Sequence, residues 1–267
     1  MHGLFGSKQN NRSISKALAR DLKTPVYALV SLCAVPKNMG FAAKFHQDLR
    51  NHGDSPHDAN HDYQAMADDV EEFVDEHGLK LPTLIGHSMG AKVAMTLALR
   101  SPKLLGALIA VDNAPVDANL KSDFRKYVQG MRDIEEKGVN SQAEADAILR
   151  LYEEALPIRQ FLLTNLTRSP DGGHLRLRIP TRILAASLDK MGDFPFRDPE
   201  ETRFDGPTLI VRGTKSHYVA DDVLPVIGQF FPRFKLRDIE SGHWVISEKP
   251  EIFRQAVVEF LQERRDI

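Results

Sequence analysis

The chain has 267 residues, 42% of them apolar, with 35 Lys and Arg against 37 Asp and Glu. That length suits one large α/β domain or two small ones, and the near-neutral balance gives no basic face for nucleic acid or an anionic membrane. No uninterrupted apolar stretch reaches the ~18 residues of a membrane span. Cys33 is the single cysteine, which rules out an internal disulfide and suits a reducing compartment. The N-terminus shows no signal or transit peptide.

Taken in chain order, Ile14, Leu18 and Leu22 recur at helical spacing, and Val26–Leu29 reads as a short strand. Tyr63 to His77 is an acidic amphipathic helix with Met66, Val70 and Phe73 on one face. Leu81 to Ile85 is a strand, Ala91 to Arg100 a helix, and Ala107–Val111 a buried strand. The stretch from about Lys121 to Leu188 is mostly helical, polar and interrupted by Gly and Pro. Thr208–Val211 is a strand, Ala220 to Phe231 a helix, Phe234 to Ile239 a strand, and Pro250 to Arg264 a closing helix. Strands alternating with helices predict an α/β fold with a parallel sheet covered on both faces. The helical block reads as a cap inserted over the carboxyl ends of the strands, where ligands bind in such sheets. The expected division is a core of residues 1–115 and 190–267, with 116–189 as the cap.

Between the strand ending at Ile85 and the helix starting at Ala91 stands Gly86-His87-Ser88-Met89-Gly90. A G-x-S-x-G alone arises by chance in a chain this long with a probability of roughly 0.1. Placed between a strand and a helix, it reads as a nucleophile elbow that pushes the Ser88 hydroxyl above the sheet. A serine hydroxyl needs a base, and in such folds the base follows the last strand. Glu240-Ser-Gly-His243-Trp244 supplies His243 there; the plainer reading is a loop histidine packed beside Trp244. The base in turn needs a carboxylate. The loop after the next-to-last strand, Arg212 to Tyr218, has none. Asp112, at the end of the strand before the cap, is the candidate, against the alternative that it only caps a turn. Asp221 and Asp222 read as charges at a helix N-terminus.

An oxyanion hole takes one backbone N–H from the residue after the nucleophile, here Met89, and one from an upstream loop. His2-Gly-Leu-Phe-Gly-Ser7 is such a loop and offers Leu4, or less well Phe5. Phe5, His87, Phe124, Tyr127 and Trp244 are the candidate substrate contacts. Phe124, Tyr127, Met131, Leu149, Leu151, Leu162 and Leu163 are expected to turn apolar surface toward Ser88 or the cap interior. Asp48 and Arg50 read as a charge-assisted pair bracing the loops around the site. His52, His57 and His61 read as surface or loop histidines. No metal-ligand spacing is met, and no cofactor is implied.

With HGLFGS, DLRNHGDSPH, GHSMG, VDNAPVD and SGHW in this order, the chain resembles the α/β-hydrolase superfamily, and within it the abhydrolase-domain-11 esterase group. That group includes mitochondrial members in animals and fungi, fungal ethanol acetyltransferases and a small bacterial acyl-CoA esterase. The resemblance implies a triad of Ser88, Asp112 and His243, with the acid placed early. It implies action on a small-molecule ester or acyl-CoA: hydrolysis of carboxylic esters or thioesters or, as in the fungal branch, acyl transfer from acetyl-CoA to an alcohol. It also implies a mitochondrial setting. Two departures stand out. The chain starts within the oxyanion loop, so the group's N-terminal strands are missing from it, and the elbow strand is expected to have an open edge or a substitute neighbour. Val30–Gln47 interrupts the run from strand into D-x-R. It reads as a retained intron, beginning with a possible GT and ending with a possible AG, or as a genuine loop insertion. A non-catalytic or misfolded truncated protein is the competing class.

Overall fold

The computed structural model describes residues 1–27, 48–117 and 122–263. A short 3-10 turn at Lys8–Asn11 leads into α1 (Arg12–Leu22), which is followed by α2 (Tyr63–Glu76), β1 (Thr83–His87), α3 (Met89–Arg100) and β2 (Ala107–Val111). Next come α4 (Ser122–Lys137), α5 (Gln142–Leu149), α6 (Leu156–Leu163), the ribbon β3 (Leu166–Arg168) and β4 (Leu175–Leu177), and α7 (Thr181–Gly192). The chain then returns to β5 (Thr208–Gly213), a 3-10 turn at Asp221–Val223, α8 (Leu224–Phe230), β6 (Phe234–Ile239), the one-turn α9 (Val245–Glu248) and α10 (Pro250–Glu263). Val30–Gln47 lies outside the described residues, as do Ala28 and Leu29. Val26 and Tyr27 have no strand geometry, so the early strand is not seen where alternation placed it.

Four strands pair in the order β1-β2-β5-β6, all parallel. A parallel sheet must be covered on both faces, and β2 shows how the sequence achieves this. Its five residues are all buried. Ala107, Ile109 and Val111 point into one core with Ile14 and Leu18 of α1 and Phe253 and Val257 of α10. Leu108 and Ala110 point into the other, with Met66 and Val70 of α2 and Val93 and Leu97 of α3. This is the period-2 alternation of a strand feeding two helix layers. The Asp62 side chain accepts a hydrogen bond from the Ala65 N–H and so caps α2. Among the described residues, no helix is long and apolar enough to cross a membrane.

The flank of β1 away from β2 meets the backbone of Met1. The Met1 amino group donates to the Ile85 carbonyl (2.6 Å), and the His87 N–H donates to the Met1 carbonyl (3.2 Å). Below this contact a cavity of about 510 Å³ runs between Leu84 and Ile85 on one side and Leu18, Leu22 and Tyr27 on the other.

The turn from β1 into α3 leaves no room at Gly86. A Cβ placed there would lie 2.0 Å from the Gly90 carbonyl oxygen, a backbone atom that cannot swing aside. Gly86→Ala should therefore destabilise the fold by about 3 kcal/mol or more, in the range of severe overpacking. Urea unfolding followed by fluorescence checks this; a loss below about 1 kcal/mol would show that the elbow can relax.

Candidate active site

Ser88 and Asp112 are held at neighbouring strand ends by a ladder that continues past the strands. The Ser88 N–H donates to the Val111 carbonyl (2.9 Å), and the Asp112 N–H donates to the Val211 carbonyl (2.8 Å). Both residues have positive φ, 54° for Ser88 and 52° for Asp112. Side-chain-bearing residues rarely adopt that conformation, and its cost is borne by the surrounding pairing. The strain turns both side chains out of the sheet plane toward the loop after β6, which carries His243.

The three side chains meet in one line. His243 Nδ1 lies 2.7 Å from Asp112 Oδ2, and His243 Nε2 lies 2.9 Å from Ser88 Oγ. A carboxylate only accepts, so Nδ1 carries the proton and Nε2 is left to accept from the serine hydroxyl. Asp112 is fully buried. A buried carboxylate needs donors, and the loop after β5 provides them: the Gly213 N–H to Oδ1 (3.0 Å) and the Ser216 hydroxyl to Oδ2 (2.5 Å). Tyr218 of the same loop stacks on the His243 ring, with centroids 4.1 Å apart and planes 26° apart. Burial raises the Tyr218 hydroxyl pKa to about 12, so it stays neutral beside the imidazole. Sequence reasoning passed over this loop because it holds no carboxylate. Its signal was the pair Ser216 and Tyr218 at the position where an acid is usual.

The loop His2 to Ser7 presses on the nucleophile. A Cβ at Gly3 would lie 3.2 Å from Ser88 Cβ. Among the described residues, the N–H groups of Leu4 and Met89 donate to no protein acceptor. Phe5 adopts φ 62° and its carbonyl accepts from Asn165 Nδ2 (3.0 Å), which fixes the turn. The segment starting at Asp48 braces the loop from behind. Asp48 accepts from the Lys8 N–H and from the Asp54 N–H (3.1 Å), and the Leu49 N–H donates to His2 Nε2 (3.2 Å). Arg50 does not pair with Asp48. It forms a bidentate pair with Asp69 of α2 at 2.6 and 2.5 Å. The expected pair is thus two separate braces: Asp48 turns to the His2 loop and Arg50 to α2. Asp221 at the N-terminus of its 3-10 turn pairs with Arg212, away from His243.

Ser88 lines one cavity, and its neighbours Gly3 and His87 line a second. The first, of about 10 Å³, has room for about one water molecule. It is lined by Leu4, Ser88, Lys92, Phe124 and Tyr218. The second, of about 540 Å³, opens past Gly3 and His87 and is lined on its far side by Pro157, Phe161, Trp244 and Ile246. Of the candidate substrate contacts, Trp244 and His87 line the second cavity and Phe124 the first. Tyr127 and Phe5 line neither cavity: Tyr127 packs behind Phe124 and donates to Glu153, and Phe5 packs against Phe124 from below the loop. Phe161 lines the second cavity and packs at a tilt against Trp244, with centroids 4.5 Å apart. Met131, Leu149, Leu162 and Leu163 are buried in the core of the intervening segment. Leu151 is 82% exposed, a correction, since the chain leaves α5 just before it.

Residues 1–250 match the family described as alpha/beta hydrolase fold. The chain belongs to that family. It is 38% identical to the probable alcohol acetyltransferase of Saccharomyces cerevisiae, across 100% of this chain and 77% of that protein. It is also 38% identical to the sn-1-specific diacylglycerol lipase ABHD11 of Mus musculus, across 98% of this chain and 79% of that one. Among solved structures it resembles a marine microorganism esterase at TM-score 0.82 and 30% identity, covering 97% of this chain and 93% of that chain. This alpha/beta hydrolase is thus an enzyme whose named relatives act in ester hydrolysis and acyl transfer. Among its described residues no group of three His, Cys, Asp or Glu side chains could hold a metal ion.

His87 completes the hydrolase's site from one side. Its Nε2–H donates to the His243 carbonyl (2.7 Å), fixing the loop that carries His243, and burial lowers its pKa to about 3. A second set of histidines lies behind the His2 loop. His52, His57 and His61 all stand in loop segments, His57 exposed but His52 and His61 fully buried rather than at the surface. The rings of His2 and His52 lie 5.1 Å apart, and those of His52 and His61 5.6 Å. Burial lowers the pKa of His52 to about 4 and of His61 to about 3, and takes His2 well below its ordinary value. These rings are neutral in the folded protein, while the unfolded chain takes up protons below about 6.5. Stability is therefore full above pH 6.5 and falls as pH drops toward 4. His52 alone should cost about 2 kcal/mol between pH 7.5 and pH 5. Thermal melts of the wild type and His52→Asn across that range check this; equal slopes for the two proteins would count against it.

Proposed function

We propose that this enzyme is a serine hydrolase that acts on carboxylic esters or thioesters through an acyl-enzyme on Ser88. The observation that carries the reading is the unbroken hydrogen-bonded line from Asp112 through His243 to Ser88. As Oγ attacks the acyl carbon, His243 Nε2 takes its proton, and the buried Asp112 carboxylate stabilises the imidazolium and holds its orientation. The oxyanion of the tetrahedral intermediate is received by the Leu4 and Met89 N–H groups, two donors already in place and unspent. His243 then gives its proton to the departing alcohol or thiol. A second acceptor attacks the acyl-enzyme with His243 again as base, and Ser88 recovers its proton when the product leaves. The residues from 116 to 189 act as a cap in this reading. They supply Phe124 to the acyl side and Pro157 and Phe161 to the leaving-group side.

Alcohol acetyl transfer is the second reading, favoured by the cavity beside Ser88. With room for about one water molecule beside Ser88, it favours the shortest acyl groups. Water as acceptor gives an acid, and an alcohol gives a new ester; the acyl-enzyme is common to both. The apolar groove of Phe161 and Trp244 receives either an alcohol acceptor or an alcohol leaving group.

Ser88→Ala should abolish both turnover and labelling by a fluorophosphonate probe, and failure of the wild type to label would favour a non-catalytic protein. Asp112→Asn should lower kcat for p-nitrophenyl acetate by up to about 10⁴-fold, whereas Asp221→Asn should change it less than twofold. Rates on p-nitrophenyl esters should fall steeply from acetate to octanoate, and a long-chain optimum would rule out the small acyl cavity as the binding site.

A further inference from the structure

Lys92 is the one charged residue in the first eleven positions of α3, within an otherwise apolar run. Its side chain is only 1% exposed. Its ammonium donates to the carbonyls of Gly192 (3.0 Å) and Asp193 (2.8 Å) at the C-terminal end of α7, and lies 5.5 Å from the centre of the Tyr63 ring. Lys92 follows Ser88 by four residues, and its N–H donates to the Ser88 carbonyl (3.2 Å) across the first turn of α3. Both line the small cavity, together with Tyr63, Asn113 and Met191. An ammonium has three donors, and the two carbonyls take two of them. A merely apolar acyl pocket is served by Leu or Met here. Burying a cation with a donor to spare is costly unless something accepts from it. Burial lowers the Lys92 pKa to about 8, with Asp117 and Asp193 opposing the shift, so the group is mostly charged at neutral pH.

We propose that Lys92 determines acyl specificity: its ammonium, one turn from Ser88 in the acyl cavity, selects short acyl groups that carry an acceptor oxygen beyond the ester carbonyl over alkanoyl groups of the same length. The inference rests on the acyl-enzyme reading of Ser88. Acetyl falls short of the cation, and butanoyl sets a methylene against it. An oxygen at that point accepts the remaining N–H.

The test compares p-nitrophenyl methoxyacetate with p-nitrophenyl butanoate, which differ by one oxygen in place of a methylene. Each kcat/KM is divided by the ester's hydroxide-catalysed rate constant, which removes intrinsic reactivity. The wild type should favour methoxyacetate by about tenfold or more, the scale of a hydrogen bond to a charged donor. Most of the difference should appear in KM. In Lys92→Met the ratio should fall to near one. In Lys92→Gln, which keeps an N–H donor without charge, it should lie between. Rates are referred to the fraction of sites labelled by the fluorophosphonate, so a partly unfolded variant does not distort the ratio. Should Lys92→Met not fold, the wild-type ratio and Lys92→Gln decide. A wild-type ratio near one, or one unmoved by substitution, overturns the proposal. Failure of the Ser88 reading looks different: no labelling, and turnover that survives Ser88→Ala.

Discussion

The site depends on burying a carboxylate at the end of β2. Asp112 has no contact with solvent, and a lone charge in that position would be prohibitively unstable. Three donors from two different loops meet it: the Gly213 N–H, the Ser216 hydroxyl and the His243 Nδ1–H. The carboxylate therefore gathers the loops after β5 and β6 around itself. The strained backbone of Asp112 and of Ser88 is tolerated because β1, β2 and β5 pair on past their own ends.

A second layer of backbone contacts sets the other wall. The His2 loop has no regular structure that would hold it by itself. It is held by Asp48 from behind, by Asn165 from the intervening segment and by the close approach of Gly3 to Ser88. Arg50 ties the same bracing segment to α2 through Asp69. The two halves of the site are thus joined through hydrogen bonds to main-chain groups, whose positions are less free than those of exposed side chains.

The fold and the three aligned side chains were legible in the sequence for a local reason. Ser88 and Asp112 directly follow short apolar strands, His243 stands on the loop just after the last strand, and the glycines around Ser88 and before His243 mark tight turns. What lay beyond local pattern was missed. Ser216 and Tyr218 look like ordinary loop residues until Asp112 is known to reach across from β2. Lys92 looks like a surface residue at the start of a helix, and only the seating of α7 buries it. His52 and His61 look solvated because polar residues surround them in sequence. Their burial arises from packing between the His2 loop and α2, which no periodicity encodes. Leu151 failed in the opposite sense, since an apolar residue just past a helix end need not face inward.

The three aligned groups come from distant parts of the chain: His243 and Ser88 are 155 residues apart in sequence. β1 and β2 pair early in the order of synthesis, but the strand that delivers the imidazole is the last of the sheet. Domains gain their contacts as the chain emerges, so for most of its synthesis Ser88 is an ordinary alcohol with an empty space beside it. On the proposed mechanism, Ser88 gains its base in a late step, when β6 docks on β5 and brings His243 over it. On the same reading, the nascent chain presents no activated serine to encountered esters before the walls of the site are in place.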